Sequence, residues 1–106
     1  MYYEMRTYAI RPTRAGEWLA LYQAEALPVQ LELLGDLVGF FTTEVGSLNQ
    51  VVHLWRYASL DDRVARRDRM AADKRWQAFI AKVRAMDVLV SMESKILRPT
   101  GFSPLS

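Results

Sequence analysis

The sequence predicts one α+β domain with the element order β-α-β-β-α-β. Four segments read as strands, and two longer ones repeat apolar residues at helical spacing. The two kinds follow one another in that order along 106 residues, a length that suits one core and is too short for two. Residues 1–106 are therefore read as a single domain.

Residues 2–10, YYEMRTYAI, alternate and are rich in aromatic side chains, as half-buried strands are. Arg11-Pro12 ends the run, because Pro lacks the N–H that a central strand needs. Thr13 is the expected N-cap of the first helix, with Glu17 near the positive end of its dipole. Trp18, Leu21 and Tyr22 form one helical face, and Leu27, Leu31 and Leu34 continue it with an offset. Pro28 accounts for that offset by removing one backbone bond. Gly35 closes the helix. Residues 37–45 read as the second strand, 46–49 as a hairpin loop, and 50–57 as the third strand. Ser59 to Asp62 form a capping box that opens an arginine-rich helix ending near Ala72. Asp73 caps a further segment in which Trp76, Phe79, Ile80 and Val83 fall at i, i+3, i+4 and i+7. Residues 88–97 are the last strand, stopped by Arg98-Pro99. Two β-α-β halves close most simply as a ferredoxin-like antiparallel sheet, helices on one face, with strands 1 and 3 central.

Composition excludes several chemistries. A hydrophobic fraction of 51% and a charged fraction of 25% belong to a packed chain, not a disordered one. Fourteen basic and twelve acidic side chains give a net charge of +2, which is no nucleic-acid footprint. With no Cys there is no disulfide, thiolate nucleophile or thiolate metal site, and a single His excludes a paired-histidine metal site. No metal or cofactor is expected. Ser47 lacks the flanking glycines of a nucleophile elbow. No apolar stretch nears the roughly 18–20 residues of a membrane span, and the N-terminal residues carry no signal-peptide pattern. The expected location is cytoplasmic.

A sheet backed by helices normally turns a polar second face to water. Here Leu37, Val38, Phe40 and Phe41, then Val51, Val52, Leu54 and Trp55, then Val88, Leu89 and Val90 are apolar on both parities. Each large side chain moved out of water contributes about 1.5–3 kcal/mol. A second copy of the chain, packed on the open sheet face by two-fold symmetry, is the expected cover.

Several stretches resemble the NIPSNAP family: Tyr3-Glu4-Met5-Arg6-Thr7-Tyr8, Leu34 to Phe41, Gly46 to Tyr57, Ser59 to Arg63, and the closing Arg98-Pro99-Thr100 with Phe102-Ser103-Pro104. The resemblance covers essentially the whole chain. It implies a dimeric α-β barrel in which two sheets face each other, and it implies no established reaction. The wider superfamily includes cofactor-free monooxygenases, haem-degrading enzymes and lactone isomerases, but kinship of fold does not transfer function.

Strand parity groups Glu4, Arg6 and Tyr8 on one face, His53, Trp55 and Tyr57 on another, and Ser91, Glu93 and Lys95 on a third. On one side of the sheet these sets would make a polar-aromatic patch in the barrel interior. Trp55 would stack on a flat ligand, with Glu4, Tyr8 and Glu93 around it and Arg6 or His53 binding an anion or moving a proton. The structural alternative has Glu4, Arg6 and Glu93 neutralising one another at a dimer contact. Asn49 is a turn residue or a ligand contact at the barrel mouth. Three functions follow: a homodimer binding a small, partly apolar ligand; a cofactor-independent monooxygenase or isomerase using His53, Trp55 and Arg6; or an interaction module. The last would use the stretch Asp61–Arg84, which holds eight basic residues against four acidic ones and is otherwise a solvated face.

Overall fold

The structure is a computed structural model describing residues 1–106. Strands β1 (Tyr2–Ile10), β2 (Leu37–Thr42), β3 (Gln50–Tyr57) and β4 (Leu89–Leu97) form one antiparallel sheet in the order β2-β3-β1-β4. Strands 1 and 3 are thus central, as right-handed crossovers require. Helices α1 (Ala15–Leu21), α2 (Leu27–Leu33), α3 (Leu60–Ala72) and α4 (Lys74–Met86) complete the ferredoxin-like α+β fold. No helix is long and apolar enough to cross a membrane.

The first helical stretch does not start or bend as the sequence suggests. Thr13 sits at φ 71°, and Arg14 occupies the N-cap position without a side-chain cap. Arg14 binds Glu17 through Nε at 2.7 Å instead. The offset in the apolar face arises before Pro28, where Tyr22–Ala26 form a π-helical turn joining α1 to α2. Pro28 stands in the first turn of α2. It has no N–H for the Ala24 carbonyl, and its ring crowds that carbonyl, so the widened turn absorbs both defects.

The other local signals operate as their chemistry dictates. Ser59 Oγ accepts from the Asp62 N–H at 3.0 Å, while Asp62 accepts from the Ala58 N–H at 3.1 Å. Asp73 Oδ1 accepts from the Arg75 N–H at 2.8 Å and opens α4. Asp87, at φ 51°, ends it. The register slips by a bulge at Leu37/Gly39, beside the glycine. β2 stops at Thr42, three residues earlier than its sequence suggests.

Along β3, Val51, His53, Trp55 and Tyr57 are all buried while their neighbours are half-exposed, so one parity faces the helices. In β1 that parity carries Glu4, Tyr8 and Ile10. Tyr8 packs edge-on against Trp18 of α1 with centroids 5.7 Å apart. Two apolar clusters fill this layer, one around Trp18, Tyr22 and Phe79, the other around Trp55, Leu34 and Met70. The opposite face is not wholly open. The Tyr3 hydroxyl donates to the Ser106 carbonyl at 3.2 Å, and residues 98–105 lie against Tyr3, Leu54 and Leu97. The tail therefore covers one end of a face expected to depend on another copy alone. Phe41, on that face opposite Val52, is 58% exposed.

Candidate functional site

Two of the three polar sets predicted from strand parity do meet. Glu4 pairs with Trp55 and Arg6 with His53 across β1 and β3, so both sets share one face. It is the face beneath the helices, not the open one that was to become the barrel interior. Tyr8 and Ile10 send their parity into the apolar layer under α1, and Glu4 and Arg6 must follow.

The third set lies on the opposite side. Glu93 is opposite Thr7, points away from Glu4, and forms an exposed pair with Lys95 at 3.3 Å. Ser94 takes the place expected of it, donating from Oγ to Glu4 Oε2 at 2.6 Å. The sequence held a partial signal for this: Met92 and Ile96, two residues either side of Ser94, are apolar, while Ser91, Glu93 and Lys95 of the other parity are polar.

Glu4 has no solvent exposure and sits in a ring of donors. Arg6 Nη1 approaches Oε2 at 2.8 Å, Arg63 Nε approaches Oε1 at 2.9 Å and its Nη2 approaches Oε2 at 3.1 Å. Arg67 Nη1 stands 3.9 Å from Oε1. Burial pushes the carboxyl pKa up, but hydrogen bonds from Arg63, Ser94 and Arg6 outweigh it and hold it down at about 2. Neither Arg63 nor Arg67 was singled out as a partner of Glu4, because nothing local links α3 to β1.

His53 is fully buried. Its Nδ1 accepts the Trp55 indole N–H at 2.7 Å, which leaves the proton of the neutral ring on Nε2. That nitrogen is buried without a hydrogen-bond partner, among the rings of Phe40, Tyr8 and Tyr22. Burial, with the Arg6 charge second, pushes the imidazole pKa down to about 3. The base expected of His53 thus has no free lone pair, and charging the ring is strongly opposed. Trp55, likewise buried, serves as its donor and packs in the core beneath the helices. Asn49 adopts φ 63° and its carbonyl accepts from the Ile10 N–H at 2.8 Å, the turn role of the two expected.

A cavity of about 310 Å³ opens beside this polar cluster, between α4 and the β1–β4 half of the sheet. Nine of its thirteen lining residues are hydrophobic. Trp76, Phe79, Ile80 and Val83, the helical stripe read from the sequence, form one wall. Tyr8, Trp18 and Tyr22 stand on another, and Leu89 and Met92 come from β4. Arg6, Arg67 and Arg84 bring charge to the lining, and no carboxylate does. Tyr8 Oη accepts from Arg6 Nε at 2.8 Å, while Tyr22 donates to Gln30 across the π-helical turn. Of the predicted site residues, Arg6 and Tyr8 line the cavity and Glu4 anchors Arg6 from behind.

In the basic stretch Asp61–Arg84, on α3 and α4, four of the eight cations are held by close ion pairs within the chain. Arg63 is bound to Glu4, Arg66 to Asp62 at 2.8 Å, Arg75 to Glu32 at 2.7 Å and Lys82 to Glu25 at 2.8 Å.

Comparison with known proteins agrees with the fold and with the sequence motifs. A NIPSNAP family structure from Agrobacterium tumefaciens superposes with a TM-score of 0.93 at 47% identity, covering 99% of this chain and 98% of that one. An uncharacterised NIPSNAP domain protein from Burkholderia xenovorans gives 0.91 at 39%, covering 98% and 99%. A putative antibiotic biosynthesis monooxygenase from Nitrosomonas europaea superposes at 0.67 with 9% identity over 93% and 98%, a shared fold and no more. Human NipSnap homolog 3A is 37% identical over 105 residues, 97% of this chain and 41% of its own length. The Dictyostelium discoideum NipSnap homolog is 36% identical over 97 residues, 92% of this chain and 42% of its own. The chain thus spans about two fifths of these two curated relatives. The NIPSNAP profile matches residues 3–104, and the chain belongs to the NIPSNAP family.

Proposed function

We propose that this chain forms a cytosolic homodimer in which each subunit binds a small, partly apolar molecule between its helices and its sheet. The cavity beside Tyr8 carries the reading. At about 310 Å³ it has room for roughly ten water-sized groups, and its lining is mainly hydrophobic. Binding is tested with naphthalene-2-carboxamide, a neutral bicyclic probe, by calorimetry on the whole chain. One site per subunit is expected. Val83→Trp, which places an indole in the cavity, should abolish that site while the circular dichroism of the fold persists. Binding unchanged by Val83→Trp refutes the assignment.

The dimer rests on the exposed apolar side chains of the open face and β4 edge, Phe41 at 58%, Val90 at 61% and Leu97 at 39%. Equilibrium sedimentation at micromolar concentration should return twice the chain mass, and Phe41→Asp should shift it toward the monomer. A monomeric parent would end this part of the proposal.

A catalytic reading of the same site would turn on Tyr8, whose hydroxyl lines the cavity with an arginine as donor, and not on His53.

A further inference from the structure

The cavity wall is unevenly charged, and this narrows what it holds. Glu4 is the only carboxylate within 4 Å of Arg6, Arg63 and Arg67, so one negative charge faces three positive ones. Arg84, which also lines the cavity, has no carboxylate within 4 Å. Arg6 uses Nε on Tyr8 and Nη1 on Glu4, which leaves Nη2 without a protein partner.

A second, independent sign is the indole N–H of Trp18. Trp18 is 1% exposed and lines the cavity, yet its Nε1 is buried with no acceptor. A buried donor without a partner costs about 1–3 kcal/mol, and a ligand oxygen would relieve that cost. Donors and positive charge therefore gather on a space whose remaining walls are aromatic and aliphatic.

We propose that this site takes an apolar organic anion: an aromatic or alicyclic carboxylic acid with one charged end. Its ring lies among Trp76, Phe79 and Ile80, and its carboxylate faces Arg6, Arg67 and Arg84 with the Trp18 N–H as a neutral donor. Guanidinium groups suit a carboxylate because their paired N–H donors match its two oxygens. The inference rests on the cavity being a binding site at all, and its test separates the two.

Naphthalene-2-carboxylate and naphthalene-2-carboxamide are nearly isosteric and differ in charge. Titrated by calorimetry into the whole protein, the acid should bind more tightly than the amide by about tenfold to a hundredfold, the range for hydrogen bonds to charged groups. Arg67→Gln and the exposed Arg84→Gln, made singly and together, should draw the acid's affinity toward the amide's, weakening the acid by a much larger factor than the amide. Raised salt should weaken the acid alone. Acid and amide bound within about twofold of each other would overturn the anion inference and leave the cavity standing as a neutral site. Neither probe bound would overturn both. An acid preference undiminished in the double variant would show that Arg67 and Arg84 do not face the carboxylate, which overturns the placement proposed.

Discussion

Glu4→Gln is expected to destabilise the fold by about 3–5 kcal/mol at neutral pH, the usual loss when one partner of a buried ion pair is removed. The replacement keeps the shape of the side chain but turns one acceptor oxygen into a donor facing Arg6, Arg63 or Ser94. The pH dependence supplies an internal check. The folded-state pKa is lowered from 4.5 to about 2, so the carboxylate contributes fully above 4.5, and its contribution fades as the pH falls from there toward 2. That interval corresponds to about 3 kcal/mol. In urea melts between pH 7 and pH 2, the gap between parent and variant should be constant down to about pH 5. Below that it should close. A gap that does not depend on pH would mean that Glu4 contributes by shape and not by charge.

Trp55 should carry the next largest effect, and it should do so without touching a ligand. It is 1% exposed, packs in the cluster with Val29, Leu34, Tyr57 and Met70, and donates to His53. Trp55→Ala should cost about 3–5 kcal/mol through the void it leaves. Trp55→Phe keeps an aromatic ring but strands His53 Nδ1 without a donor and should cost about 1–3 kcal/mol. Both follow from the midpoints and slopes of urea unfolding. The phenylalanine variant should bind naphthalene-2-carboxamide as the parent does, because Trp55 does not line the cavity. A large loss of probe affinity in that variant, with stability intact, would return Trp55 to the role of ligand contact.

The amino-acid sequence was most legible where a signal is local. The Ser59 and Asp73 caps, the helical stripe Trp76–Val83 and the turn at Asn49 each depend on neighbours a few residues away. The central places of β1 and β3 followed from a general rule of handedness. What escaped reading was which face of the sheet the helices cover. Parity groups Glu4, Arg6 and Tyr8 correctly, but only docking of α1 and α3 decides that the group is enclosed within the subunit. Register between β1 and β4 is equally invisible from a single strand. Here it exchanges Glu93 for Ser94. His53 drew attention as the only imidazole, yet its role was set by an indole two residues along the same strand. Lone residues mislead when their partners are unknown.

The bonds around Glu4 also bear on how the polypeptide acquires its form during synthesis. The Glu4 carboxylate is bound by Arg63, 59 positions later, and by Ser94, 90 positions later. β1 is interior to the sheet, yet one of its two flanking strands is the last to be made. Until that strand leaves the ribosome, the growing chain carries an unpaired β1 edge, and Glu4 lacks its hydroxyl donor. Such long-range closure is slow and leaves a sticky intermediate waiting. Nascent chains halted before Ser94 should therefore be the ones most in need of a chaperone.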